Sequence, residues 1–292
     1  MPTAPQIDCP ISLGGFFPAE SDDDDDDDEE EELNQCFEVQ NVELEGATLK
    51  IRQFAWHSHN ANRVWPGTFN LASYLLVKED DGCKYKNDWG RVLELGSATG
   101  ILAIRLAMVS KKHHATKTAT AASTGTPLEA IETVCESIVT SDVADGEVGE
   151  HVLYNFRLND FAETSIPVHV PHTWGTGWKH CADELLGGTG CQPFDTIVAS
   201  DILLYVSAYP ALVKSLTEIM SRTTILVMSW NRRMKESGEF FERMDEAGFD
   251  CRHEGKCIYT CSWKKKCKLP VGEEQNVGHG ELQVMPEDRN HS

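Results

Sequence analysis

A chain of 292 residues can bury one large α/β core without disulfides or metals, and 40% apolar residues is an ordinary share for a globular protein. The formal net charge is −21, about half of it in one unbroken run from Asp22 to Glu32. The remainder is still acidic and shows no basic stripe, which excludes duplex nucleic acid as the expected partner; no apolar run approaches membrane-spanning length and no apolar signal segment opens the chain.

Residues 1–35 read as a disordered, solubilising segment, because the acidic run repels itself and carries nothing to bury. From Phe37 to Gln53, two alternating stretches predict a β-hairpin turning at Glu45-Gly46. Pro66 and Gly67 then open a predicted helix, with Phe69, Leu71, Ala72, Leu75 and Leu76 at helical spacing. Val92–Leu95 reads as a short buried strand and Ile101–Val109 as an apolar helix. Residues 111–128 are Lys, His, Ala, Thr, Ser and Gly with Pro127, and are expected to form a flexible insertion.

Beyond it, strand and helix signals alternate: strand Ser137–Thr140, helix Glu147–Leu158, strand Val168–Val170, strand Phe194–Ser200, helix Ala208–Met220, strand Thr224–Ser229 and helix Lys235–Ala247. Phe249–Trp263 has the composition of a closing antiparallel pair, and residues 268–292 read as a polar tail. The expected fold is α/β: a doubly wound, mostly parallel seven-stranded sheet with an antiparallel strand at one edge, plus the N-terminal hairpin. The domain itself is expected over residues 36–267. Ten cysteines are scattered without a pair two residues apart, so no zinc knuckle is expected and the thiols are read as reduced. Lys264, Lys265, Lys266 and Lys268 read as a solvated strand end.

The informative run is Arg91-Val-Leu-Glu-Leu-Gly-Ser-Ala-Thr-Gly100, a strand that empties into a glycine loop and opens a helix. In doubly wound sheets, ligands bind beyond the carboxyl ends of the strands. Gly96 and Gly100 let the backbone of Ser97 and Ala98 approach a ligand, and the helix N-terminus adds amide donors. Such a loop also fits nicotinamide and flavin cofactors. Two features discriminate. The spacing is Gly-x-x-x-Gly rather than the Gly-x-Gly-x-x-Gly that presses on a pyrophosphate, and Glu94 at the strand end would repel a diphosphate but suits a sulfonium cofactor bearing an amino group.

Asp142, ending the next strand, either caps a helix or accepts both ribose hydroxyls; beside this loop the ribose reading is preferred. Trp174, in a Gly-rich loop after the third strand, can stack on an adenine or fill the core. His57 and His59 sit in a polar loop and are expected to shape it rather than bind metal.

Val64-Trp-Pro-Gly67, Val92 to Gly100, Thr140-Ser-Asp142, Tyr154-Asn155 with Asn159, His172-Thr-Trp-Gly175 and Phe194-Asp-Thr-Ile-Val-Ala-Ser-Asp201 stand in an order that resembles the seven-strand methyltransferases. Within them the chain is similar to methyltransferase family 16, the lysine-methyltransferase-like group, over residues 37–263. That resemblance implies S-adenosyl-L-methionine as cofactor, with contacts from Trp65, the backbone of Gly96 to Ala98, Asp142, Trp174 and Ser200. It departs in two places. Ala98 stands where the family has glycine, and Asp201-Ile-Leu-Leu-Tyr205 is one residue longer than the family's Asp-x-x-Tyr.

Methyl transfer from a sulfonium is an in-line displacement that needs positioning and a free lone pair on the acceptor. Asp201 can orient an ammonium and help its deprotonation. Tyr205 either lines the acceptor pocket or packs beneath the following helix. Asp195, at the opposite sheet edge, reads as structural. The first expectation is methylation of lysine on a basic or lysine-bearing protein substrate by a monomeric enzyme of the cytoplasm, with the nucleus as a second location. The alternatives are another protein site or a small-molecule amine as acceptor, and a non-catalytic methyltransferase-like interaction module.

Overall fold

The computed structural model describes residues 37–77, 89–124, 137–186, 192–230 and 235–265. The acidic run, the polar tail, residues 125–128 of the expected insertion and the lysines beyond Lys265 lie outside these. The described residues all fall in one compact unit, 35–292.

The expected hairpin is β1 (Phe37–Leu44) and β2 (Ala47–Phe54), in register from Phe37 opposite Phe54 to Leu44 opposite Ala47. Glu45 and Gly46 both have positive φ, which the two-residue turn with matching twist requires. Helix α1 (Pro66–Leu75) starts with Pro66 in its first position, where the missing N–H costs nothing.

The main sheet comprises β3 (Arg91–Leu95), β4 (Ser137–Asp142), β5 (Val168–Pro171), β6 (Thr196–Ser200), β7 (Ile225–Ser229), β8 (Phe249–Gly255) and β9 (Ile258–Trp263), in the order β5-β4-β3-β6-β7-β9-β8. The first five run parallel; β9 pairs antiparallel with both β7 and β8. The reversal therefore lies one strand in from the edge, with β8 outside it.

Alternating residues of the central strands divide the core into two halves. Leu93, Leu95, Ile197, Ala199, Leu226 and Met228 face one side and pack with α5 (Tyr209–Ile219), α6 (Gly238–Glu246) and α4 (Trp178–Leu185). Val92, Val198 and Val227 face the other, toward α1, α2 (Ile101–Thr124), α3 (Gly146–Leu158) and the hairpin. Burial on both faces is why these strands read as continuous apolar runs.

Two expectations are corrected. The segment read as a flexible insertion from residue 111 continues α2 as far as Thr124; its Ala and Lys content favours helix, and low complexity alone does not break one. The thiols are not all reduced: Cys251 and Cys261 face each other across β8 and β9, with Cα atoms 4.1 Å apart, and form a disulfide. Among the described residues Cys181 and Cys257 are free. Helix α4, Trp178–Leu185, had no counterpart in the sequence reading.

The hairpin is tied to the sheet by two asparagines one turn apart on α3 or at its end. Asn155 accepts the Arg52 amide at 2.8 Å and donates to Arg52 O at 3.2 Å; Asn159 does the same for Lys50 at 3.0 and 2.8 Å. Asn155 also donates to Thr99 O at 2.9 Å, so one buried amide links the hairpin, α3 and the glycine loop.

Candidate active site

The loop after β3 is shaped by its neighbour strand. Gly96 and Ser97 donate their amides to Ser141 O at 2.8 and 3.1 Å. Gly96, Ala98 and Gly100 all have positive φ. A side chain at Gly96 would meet Ile202 at 2.8 Å and one at Gly100 would meet Val152 at 2.9 Å, so both positions exclude a Cβ by contact as well as conformation. Ala98, where the resemblance implies glycine, takes the same left-handed conformation. It is held there by its own amide, which donates to Asp142 Oδ2 at 2.7 Å.

Asp142 ends β4 and its Oδ1 accepts the Val143 amide at 2.7 Å. The cap of α3 is Asp145, whose side chain accepts from Glu147 N. The capping alternative for Asp142 therefore falls away. Burial pushes the Asp142 carboxyl above the usual carboxylate range, against the two amides that favour its charge.

One cavity opens beyond the carboxyl ends of the strands. Of the residues expected from sequence, Trp65, Gly96, Ala98, Asp142, Trp174, Ser200, Asp201 and Tyr205 line it. Glu94, Ser97 and Gly100 do not. Ser97 is buried, its hydroxyl 3.1 Å from Glu94 O and from the Ser141 amide, and it braces the loop from behind. Gly100 packs on α3. Glu94 is buried at the end of β3, where desolvation pushes its carboxyl up to about 8, leaving it largely protonated at neutral pH. Asp195 accepts the Arg91 amide at 2.8 Å at the far end of the sheet, as its structural reading implies.

The wall opposite Asp142 comes from β6 and α1. Asp201 is buried, has φ of 52°, and its Oδ2 accepts the Gly67 amide at 2.6 Å. Ser200 and Thr68 share a hydrogen bond at 2.9 Å. Trp65 donates its indole N–H to Asn60 O at 3.0 Å, and Asn60 donates to the Tyr205 hydroxyl. Tyr205 is 46% exposed, so it sits at the cavity mouth and not beneath a helix. Trp174 lines the cavity and also packs against the core.

Sequence reasoning missed His59, Asn60, His172, Ile202, Leu204 and Ala211 as lining residues. For the first five the signal was proximity to a strand end or to Trp65, and His172 also stood in the motif His172-Thr-Trp-Gly175. Ala211 had no signal, because the packing of α5 alone brings it in.

A strand end with a carboxylate, a left-handed glycine loop and flanking tryptophans defines a nucleotide-type cofactor cradle on a seven-stranded sheet. A family model described as lysine methyltransferase matches residues 43–247. The chain belongs to this family, and it is an S-adenosylmethionine-dependent methyltransferase. No curated protein sequence matches it significantly.

Solved structures that the chain matches include a ribosomal protein L11 methylase from Lactobacillus delbrueckii subsp. bulgaricus (16% identity, 68% of this chain and 77% of that one, TM-score 0.40). Another is a T. thermophilus 16S rRNA N2 methyltransferase in complex with AdoMet and guanosine (15% identity, 78% of this chain and 51% of that one, TM-score 0.46). Among the described residues no helix is long and apolar enough to cross a membrane.

Proposed function

We propose that this chain methylates lysine on a protein substrate. The observation that carries the reading is that a single cavity joins two chemistries: Asp142 with the glycine loop on the β4 side, Asp201 with Tyr205 on the β6 side. The family description supports the acceptor class.

In this reading Asp142 accepts the ribose hydroxyls, Trp174 and Trp65 supply flat apolar surface to the adenosyl group, and the backbone of Gly96 to Ala98 approaches the amino acid end. S-adenosylmethionine, when bound, supplies an electrophilic methyl group. The acceptor must offer a free lone pair, so a lysine ammonium would have to give up a proton to solvent within this cavity before it could take the group. Asp201 places negative charge on the wall where a lysine ammonium would enter, which concentrates and orients it. Tyr205 gives that entrance an aromatic rim. The acidic character of the chain favours a basic segment as substrate.

The test is incubation with radiolabelled S-adenosylmethionine and cell extract, followed by mass spectrometry of the labelled product. Label on lysine side chains is expected. Label confined to small molecules or RNA removes the reading, and label on histidine or an N-terminus redirects it.

A further inference from the structure

The loop that leads into Trp65 carries a cluster that the cofactor site does not account for. His57 is buried, and its Nε2 faces Asp145 Oδ2 at 3.5 Å. One donor atom from each of His57, His59 and Asp145 lies within 4.8 Å of the others. The cluster is held from several sides. Phe54 N donates to Asn62 O at 3.0 Å and closes the loop at its base. Asp145 uses Oδ1 to accept the Glu147 amide at 3.0 Å, while Oδ2 faces His57. His59 Nδ1 shares a hydrogen bond with Ser58 Oγ at 3.0 Å, which leaves its Nε2 as the lone-pair nitrogen when Nδ1 donates.

We propose that His57, His59 and Asp145 bind a zinc-like divalent metal ion. Two donor atoms, each about 2.1 Å from a tetrahedral metal, are about 3.4 Å apart. The His57–Asp145 distance matches that edge and is long for a direct hydrogen bond. Two imidazoles with one carboxylate suit zinc and its neighbours; calcium and magnesium prefer all-oxygen sets. Three protein ligands leave a fourth position for water.

Two effects oppose binding. His57 Nδ1 accepts the His59 amide at 3.2 Å, so ligation through Nε2 moves the ring proton to Nδ1 and gives up that contact. The N-terminus of α3 also disfavours a cation, but Asp142 lies within electrostatic reach of both imidazoles and offsets it.

His59 lines the cofactor cavity. A bound metal would pin its loop to α3 and stiffen that wall. The site stands on its own geometry and does not depend on the acceptor.

The experiment uses the full chain stripped of metal, titrated with zinc chloride against a competing chelator. Cobalt chloride is used in parallel for its absorption spectrum. One zinc per chain is expected, with affinity lowered at least about tenfold in both Asp145→Asn and His59→Ala. Asparagine still caps a helix, so Asp145→Asn removes the ligand charge without removing the cap, and His59 is exposed, so both variants should keep the parental melting temperature. A cobalt spectrum without a thiolate band is expected. No stoichiometric uptake, unchanged affinity in the two variants, or a thiolate band marking cysteine ligation would each overturn the proposal.

Discussion

Asp201 Oδ2 accepts the Gly67 amide at 2.6 Å, so a carboxylate at the end of β6 holds the N-terminus of α1 through a residue 134 positions earlier in the chain. The same contact leaves no room at Gly67: a Cβ there would lie 2.7 Å from Asp201 Oδ2. Gly67→Ala is therefore expected to displace the carboxylate and lower turnover by at least about tenfold, with little loss of secondary structure. Steady-state kinetics with circular dichroism checks this; unchanged turnover would mean the wall yields freely.

Asp201→Asn separates anchoring from charge. The amide oxygen can still accept from Gly67, while the negative charge is gone. Retained cofactor affinity with turnover reduced about 10²-fold is expected if the charge steers the acceptor. Full activity in this variant would leave Asp201 as a helix anchor alone.

Asp142→Ala removes both the proposed ribose acceptor and the partner of the Ala98 amide. Cofactor affinity should fall by about 1–3 kcal/mol, read by calorimetric titration with S-adenosylhomocysteine. Equal affinity would refute the ribose assignment.

Glu94 makes stability depend on pH. Its folded value, about 8, lies above the ordinary 4.5. The unfolded chain releases this proton first, so the contribution is fully present below about pH 4.5 and is lost as pH rises toward 8. The loss is bounded at about 5 kcal/mol, at 1.36 kcal/mol per unit. Glu94→Gln should flatten the denaturation midpoint across that window. On the acid side His151, held down to about 3 mainly by burial, acts in the opposite sense: its contribution is present above pH 6.5 and lost as pH falls toward 3.

Asn155→Ala should destabilise the domain by about 2–4 kcal/mol, because three backbone groups, two part-buried on Arg52 and one buried on Thr99, lose their partner at once. Urea denaturation gives the number. A change below about 1 kcal/mol would mean water replaces the amide without cost.

The sheet was legible because strands buried on both faces read as apolar runs, and the cofactor loop because its glycines follow such a run directly. Asp142 was legible as a helix cap or a ligand-facing carboxylate, and only the capping geometry of Asp145 removed the first. The disulfide needed register: an irregularity between His253 and Gly255 offsets the strands, and only that pairing sets Cys251 opposite Cys261. Asn155 and Asn159 stood out by resemblance, yet their work on the backbone of β2 is a property of docking, invisible in a local pattern. Helix α4 was missed because its apolar positions, Trp178, Ala182 and Leu185, span barely two turns of polar sequence.

The reversed course of β9 has a consequence for how this surface can diversify. Ser229, where β7 ends, lies opposite Ile258, where β9 begins, and Trp230 donates its amide to Cys257 O at 2.9 Å. The Lys256–Cys257 turn thus emerges on the same side of the sheet as the glycine loop, although it comes from the last hairpin in the domain. Mutation can remodel that turn while the segments that form the cofactor cradle, far away in the chain, stay as they are. Change at that end of the sheet and retention of the cradle are thereby open to separate selection.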